Sequence, residues 1–275
     1  MDAPYQAAPD IHVLPTNLPL PGAGVVLPVN AYVLTAEEPV LIDTGIGIDG
    51  DQFLDAVGSI VDLQALRWIW LTHDDADHTG SIQRVMDAAP NARLVTNAFS
   101  ALRMATWWPV PFDRVHAIRP GDRLSVGDRT LRAVPPPLFD NPLSIGLLDE
   151  ATGSFFSVDS FGALLPEAVQ DAADVPHETL AGGMLAWSLA DSPWAHLVDR
   201  PRFDQVLDGV RRLQPSRILS SHLPAANGTS IEHFLEVLAS VPDAEPAVAP
   251  SHEEFGHMLA AMAAAQGQPD LVGAE

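Results

Sequence analysis

Short apolar runs separated by turn residues fill the first part of the chain. Five of these runs have the length and composition of β-strands: residues 11–14, 30–34, 40–42, 68–71 and 94–96. Three other segments carry apolar residues at helical spacing: residues 51–61, 81–88 and 99–104. The run at 68–71 is continuously apolar and ends abruptly in polar residues, which is typical of a strand buried on both faces.

The second part of the chain combines both kinds of element again. The pattern predicts a hairpin, a strand pair, a largely helical stretch and a last strand: residues 119–134, 145–148 with 154–158, 163–213 and 217–220. Strands that alternate with helices in both parts predict a layered α/β fold with helices outside two sheets. We expect one domain over residues 1–275, with its core at about 10–225 and a helical C-terminal tail at about 231–265.

The charge balance argues against several kinds of partner. Acidic residues outnumber basic ones by 36 to 14, which gives a formal net charge of −22, and the chain has no lysine. Such a surface repels phosphate backbones and anionic lipids, so we expect neither nucleic acid nor a membrane as a partner. Residues 1–15 have no basic segment, and no stretch reaches the roughly 18 apolar residues of a membrane span. We therefore expect a cytoplasmic location.

The most informative segment is Leu-Thr-His-Asp-Asp-Ala-Asp-His-Thr-Gly at 71–80, between the buried strand and the next helix. It lies at the carboxyl end of a strand, where α/β proteins usually carry their sites. His73, Asp75, Asp77 and His78 offer two imidazoles and two carboxylates, more than a single ion needs. Because the chain has no cysteine, any metal must be held by nitrogen and oxygen. The alternative is an acidic loop that only caps the following helix.

This segment resembles the metal loop of the metallo-β-lactamase superfamily, His-x-His-x-Asp-His, with Asp75 at the place of the second histidine. An acid at that place is the pattern of the flavodiiron and related oxygen-binding di-iron branch, which usually has glutamate there. Four more segments resemble the superfamily in the same order along the chain: residues 41–45, 120–127, 156–162 and 219–224. The resemblance covers about residues 10–225 and implies a four-layer αββα metallo-β-lactamase sandwich.

The resemblance also implies a set of metal ligands. Seven positions match the family's ligand positions or replace one of them: His73 and Asp75 on one ion, Asp77, His78 and His222 on the other, Asp159 as the bridge, and Asp140 where the family has a further histidine. The last position stays open, because Asp140 either ligates, holds a water molecule or leaves its ion with fewer ligands.

Three other roles are expected around these ligands. Asp43 would orient a ligand or a loop from behind, unless it is only a turn residue of Asp-Thr-Gly. Asp77 would combine metal binding with proton handling. Asp74 is expected to face solvent or to cap a helix.

The abundance of carboxylates bears on the chemistry. Hard carboxylate oxygens favour iron, with zinc or manganese as alternatives, and added negative charge makes a bound water less acidic. We therefore expect two metal ions and, first, a di-iron protein that binds or reduces O2 or NO. The second hypothesis is a metal-dependent hydrolase of an ester, lactone, thioester or phosphodiester. The third is a degenerate domain without catalysis, which the missing histidine at Asp140 favours.

The same resemblance suggests what lies outside the chain. Flavodiiron enzymes carry a flavodoxin domain after this one, whereas only about 50 residues follow His222, too few for an FMN domain. Reduction would then need a separate electron-donor protein. A homodimer is compatible with the resemblance, and the expected ligand or substrate is a small molecule.

Overall fold

A computed structural model describes residues 1–20, 23–228 and 231–265 of the protein. Within these ranges the strands are β1 (Tyr5–Ala8), β2 (Ile11–Leu20), β3 (Val25–Leu34), β4 (Val40–Ile42), β5 (Trp68–Trp70), β6 (Arg93–Thr96), β7 (Val115–Ala117), β8 (Arg123–Ser125), β9 (Thr130–Val134), β10 (Gly146–Asp149), β11 (Ser154–Phe156), β12 (Arg217–Leu219) and β13 (Ala226–Asn227). The α-helices are α1 (Asp51–Ile60), α2 (Ile82–Ala88), α3 (Ala98–Met104), α4 (His177–Asp191), α5 (Arg200–Leu213), α6 (Ile231–Ser240) and α7 (His252–Ala265).

Two sheets carry these strands. The first follows chain order from β1 to β7, with antiparallel pairing up to β4 and parallel pairing from β4 to β7. The second runs β13-β12-β11-β10-β9-β8, in which only β11 and β12 are parallel. Parallel pairs bring the carboxyl ends of β4 and β5, and of β11 and β12, to common edges.

The apolar core has three layers between four layers of secondary structure. One layer lies between the first sheet and helices α1 and α2, and includes Phe53 and Val85. A second fills the space between the two sheets, where the Tyr32 and Phe156 rings meet edge to face at 5.2 Å. The third packs helices α4, α5 and α6 against the second sheet. The predicted arrangement of helices outside two sheets is confirmed.

The sequence pattern underestimated one hairpin. Strands β2 and β3 are paired from Ile11–Leu34 to Leu20–Val25, well beyond the runs at 11–14 and 30–34. Pro15, Pro19 and Pro28 lie inside this hairpin, and proline without an N–H group is usually a sign against a strand.

The helical prediction for residues 163–213 was too broad at its start. Helix α4 begins only at His177. Before it, Leu165 forms an isolated antiparallel bridge with Val26, through hydrogen bonds of 2.7 and 3.0 Å between their backbones. Because its backbone pairs with the long hairpin in this way, the segment around Leu165 is extended rather than helical.

The loops that carry the predicted ligands follow β4, β5, β9, β11 and β12. Asp43 directly follows β4, whereas His73, Asp159 and His222 each come three residues after their strands. The described part of the chain has no helix long and apolar enough to cross a membrane.

Replacing Phe156 with Ala removes a ring that is 1% exposed between the two sheets. We expect the free energy of unfolding to fall by about 3–5 kcal/mol, because the cavity cannot close around a missing aromatic ring. Chemical denaturation measures this change. Phe99→Ala is the matched control, since that ring is 66% exposed and its loss should change stability by no more than about 0.5 kcal/mol. Equal effects of the two variants would contradict the assigned core.

Candidate metal centre

The loop after β5 is held by its own backbone and by the loop after β4. The amides of His78 and Thr79 both donate to the Asp75 carbonyl, which closes a tight turn over the acidic residues. The Gly80 amide donates to the Gly45 carbonyl at 2.8 Å, so the two loops lie in direct contact. A Cβ at Gly80 would overlap the backbone of Gly47, so glycine is required there.

Each of the three histidines is oriented through its Nδ1 atom. His78 Nδ1 lies 2.8 Å from Asp43 Oδ2, and His222 Nδ1 lies 2.8 Å from the Pro28 carbonyl. A carboxylate and a carbonyl only accept hydrogen bonds, so both Nδ1 atoms carry the proton. His73 Nδ1 lies 3.1 Å from the Thr72 hydroxyl, whose own proton is donated to Asp43. In their neutral forms all three rings therefore direct an unprotonated Nε2 inward.

These Nε2 atoms meet carboxylate oxygens at two adjacent points. We call His73, Asp75 and Asp140 the first position; the His73 Nε2 distances to Asp75 and Asp140 are 3.5 and 3.8 Å. We call Asp77, His78 and His222 the second position; the distances from Asp77 Oδ2 to the two Nε2 atoms are 3.5 and 3.4 Å.

Asp159 lies between the two positions. Its Oδ2 is 3.6 Å from His73 Nε2, and its Oδ1 is 3.1 Å from the Nε2 atoms of both His78 and His222. None of these contacts has the direction of a hydrogen bond, so both oxygens are buried without a donor from the described residues. The structure thus brings all seven predicted ligand residues together.

This arrangement fits a pair of metal ions. Ligand atoms at about 2.0–2.2 Å from an ion lie about 2.8–3.6 Å from one another, close to the distances found here. Lone pairs of imidazole nitrogen and carboxylate oxygen repel each other unless a cation or extra protons lie between them. The buried, unpaired oxygens of Asp159 are what a bridging ligand requires.

Backbone strain accompanies the Asp159 loop. Val158 and Phe161 have φ angles of 58° and 68°, and Asp43 has a φ angle of 60°. A β-branched valine in this region is a marked departure from ordinary geometry. The Val158 carbonyl accepts hydrogen bonds from the Ser220 hydroxyl and the Ser221 amide, which hold the strained loop against the segment that carries His222.

Burial and neighbouring charges shift the pKa values of the site residues in opposite directions. Burial disfavours the charge on His222, but Asp159 and Asp77 outweigh it and raise the pKa of His222 to about 10. The adjacent His73 ring, 3.5 Å from Asp75 Oδ2, lowers the pKa of Asp75 to about 2. Burial and the charge of Asp159 raise the pKa of Asp140 to about 6.

Asp77 lies among the ligand atoms of the second position, and its expected role in proton handling stays a prediction. Burial acts to raise the pKa of Asp77, but the charges of His78 and His222 hold it well below its usual range.

Residues 27–187, more than half of the chain, match the family described as ODP family beta lactamase. The chain belongs to this family. The matched range contains every predicted ligand except His222, and the four-layer sandwich is that of a metallo-β-lactamase domain.

Two curated relatives match about half of this ODP family chain. The flavo-diiron protein FprA2 of Clostridium acetobutylicum is 25% identical over 134 residues, which are 48% of this chain and 34% of that protein. An anaerobic nitric oxide reductase flavorubredoxin of an Enterobacter species is 29% identical over 136 residues, 48% of this chain and 28% of that protein. The aligned part of the chain thus corresponds to about a third of these relatives or less.

A solved structure shows the same fold. The rubredoxin oxygen:oxidoreductase of Desulfovibrio gigas superposes with a TM-score of 0.74 at 19% identity, over 86% of this chain and 60% of that one. The αββα sandwich that the sequence resemblance implied is confirmed for this ODP family chain.

The surroundings of Asp74 correct the expectation that this residue faces solvent, and they add Arg103 and Asn141 to the residues around the centre. The Asp74 side chain does not face solvent; it is 4% exposed and its Oδ2 lies 2.9 Å from Arg103 Nε. The Asn141 amide donates to Asp74 at 3.2 Å and to Asp75 Oδ1 at 3.0 Å. Asn141 thereby occupies one oxygen of Asp75 and leaves the other facing His73. Only the adjacency of Asn141 to Asp140 could have suggested this role from the sequence.

Helix α4 contributes two further residues that the sequence analysis missed. The Trp187 Nε1 group donates to the Asp159 carbonyl, and the indole ring lies 4.5 Å from the His222 ring. A Cβ at Gly162 would lie 2.7 Å from His222 Cβ, so glycine is needed where these groups meet. Burial and the charge of Asp159 raise the pKa of Asp191, the last residue of α4, to about 7. Nothing in the spacing of α4 indicates a site.

Replacing Asp43 with Asn should weaken metal binding at the second position by 10- to 100-fold, the usual effect of losing a carboxylate behind a ligating histidine. The reason is that Asp43 accepts the Nδ1 proton of His78. Competition with a chromophoric chelator measures the affinity. Asp113→Asn, at an exposed acid outside the centre, is the control. Unchanged affinity in Asp43→Asn would rule out the orienting role.

Protein stripped of metal by a chelator should become less stable as the pH rises. The raised pKa of His222 gives stability that is complete below about pH 6.5 and lost as the pH approaches 10. The raised pKa of Asp140 acts in the same direction between about pH 4 and 6. The lowered pKa of Asp75 acts oppositely, and its contribution is lost as the pH falls from about 4 to 2.

Urea denaturation of the stripped protein from about pH 6 to 10 measures this dependence. Metal-saturated protein is the comparison, because protons compete with metal and loading should reverse the slope in the lower part of this range. A stability that does not change with pH in the stripped protein would contradict the assigned contacts.

Proposed function

We propose that the chain carries a non-haem di-iron centre that binds or reduces O2 or NO. The proposed ligands are His73, Asp75 and Asp140 at the first position, Asp77, His78 and His222 at the second, and Asp159 between the two. The observation that carries this proposal is the convergence of three inward-facing Nε2 atoms on the buried, unpaired carboxylate of Asp159.

The donor set favours iron and redox chemistry. Four carboxylates and three imidazoles surround the two positions, and hard oxygen donors suit iron and manganese better than zinc. Their negative charge weakens a bound ion as a Lewis acid and stabilises its higher oxidation states. A site of this kind is better suited to electron transfer than to the activation of water for hydrolysis.

The shape of the site supports a small ligand. The three histidines and Asp159 are buried, whereas the side chains of Asp75, Asp77 and Asp140 are 30–39% exposed. A diatomic molecule can therefore approach from the side of these carboxylates. When bound, an iron pair would supply electrons and open coordination positions there. The task of the chain is to orient the rings through Asp43 and Pro28 and to keep bulk water from their far side.

The relatives support the same chemistry and the need for an electron source. One curated relative is named a flavo-diiron protein and the other a nitric oxide reductase. The solved structure is named an oxygen oxidoreductase. Repeated reduction of either gas consumes electrons that the metal pair has to receive from outside the centre. We propose that electrons reach the centre from a separate donor protein.

Iron analysis after anaerobic reconstitution, followed by titration with NO and O2, tests the proposal. We expect about two irons per chain, absorption changes with each gas, and an NO adduct visible by electron paramagnetic resonance. About two zinc ions that iron cannot replace, with turnover of a generic ester, would contradict the proposal and favour the hydrolase.

Replacing Asp159 with Ala should reduce the iron content to one ion per chain or less, because both positions lose their shared carboxylate. Elemental analysis and the gas titrations measure the loss. Asp113→Ala is the control and should retain both ions, since Asp113 is exposed and outside the centre. Full iron content in Asp159→Ala would show that this residue is not the bridge.

A further inference from the structure

The two positions differ in the atoms they offer. At the first position one imidazole, that of His73, meets the carboxylates of Asp75 and Asp140. At the second, two imidazoles meet a single carboxylate, that of Asp77. Because Asp159 faces both, the first position has one nitrogen and three carboxylates, and the second has two nitrogens and two carboxylates.

The positions also differ in how firmly their ligands are held. Both rings of the second position are anchored outside their own loop, His78 by Asp43 and His222 by the Pro28 carbonyl, at 2.8 Å each. Among the described residues, the Nδ1 atom of His73 has only the adjacent Thr72 hydroxyl, at 3.1 Å. Asp140 has a side chain that is 39% exposed, on the loop between β9 and β10.

We infer, on the basis of the proposed dinuclear centre, that the first position is an exchangeable site that accepts Mn²⁺ in place of iron while the second position retains its iron. Oxygen-rich sites suit Mn²⁺, whereas imidazole nitrogen favours ions later in the series, so the two positions select differently. Anchoring of ligating histidines is worth about 10- to 100-fold in affinity, and this advantage belongs to the second position.

The solvent exposure of the ligands also favours easier exchange of the ion at the first position. The second position has two fully buried rings among its ligands, and of its three own ligands Asp77 alone has a side chain that reaches solvent. At the first position Asp75 and Asp140 both border solvent, which allows stepwise replacement of protein ligands by water. Loss and uptake of an ion should therefore be faster there.

The experiment uses the full chain, stripped by a chelator and reloaded anaerobically with Fe²⁺. A weak chelator in limited amount should remove one iron and leave the other. Addition of Mn²⁺ should then give about one manganese and one iron per chain, by elemental analysis, and a bound Mn²⁺ signal in electron paramagnetic resonance. The two dissociation constants for Fe²⁺ should differ by at least about tenfold.

Asp140→His supplies the second imidazole that the first position lacks. In this variant the two Fe²⁺ constants should approach each other, and Mn²⁺ should no longer replace iron readily. Asp113→His is the matched control, because it adds the same side chain at an exposed acid outside the centre. It should leave both constants and the manganese signal unchanged. Thermal unfolding of each variant verifies that the fold is retained.

The outcomes separate this inference from the proposed function. Two irons that bind with equal strength, or that leave together, would overturn the inference and leave the dinuclear centre standing. One firmly held iron with no uptake of Mn²⁺ would also overturn it. Failure of the stripped chain to bind either metal stoichiometrically would overturn both the inference and the proposed centre.

Discussion

The buried carboxylate of Asp159 is the interaction on which the rest of this site depends. Its two oxygens face three imidazole nitrogens, and none of the described residues donates a hydrogen bond to them. An ionised carboxylate without partners is strongly unfavourable in a protein interior, so the surroundings must supply positive charge. The surrounding structure orients the three rings, supports the strained backbone at Val158, and keeps the carboxylate in place.

The fold provides this arrangement by joining its two sheets at one edge. The Asp159 and His222 loops follow β11 and β12, two parallel strands of the second sheet. His73 and His78 lie in the loop that follows β5 of the first sheet. Tyr32 and Asn30 of β3 donate to the Ser220 carbonyl, and the Pro28 carbonyl of the same strand holds His222. One long strand of the first sheet thus positions a ligand that belongs to the second.

How much of the site was predictable depends on whether its residues are close in sequence. The cluster from His73 to His78 was identified directly, because a short loop after a buried strand has to bring its side chains together. Asp159, His222 and Asp140 required a family resemblance, since nothing in their local sequence indicates metal binding. The Pro28 carbonyl is a backbone atom, and Trp187 reaches the site only through helix packing, so neither leaves a pattern in the sequence. The layered α/β class followed from strand and helix periodicity, and the αββα sandwich from the family resemblance. The extent of β2 and β3 was hidden by their prolines.

Anomalous diffraction at the iron edge, from crystals of the iron-loaded chain, locates the two ions relative to Asp159. We expect two anomalous peaks, one on each side of the Asp159 carboxylate: one among His73, Asp75 and Asp140, and the other among Asp77, His78 and His222. Peaks elsewhere, or iron bound without contact to Asp159, would contradict this expectation.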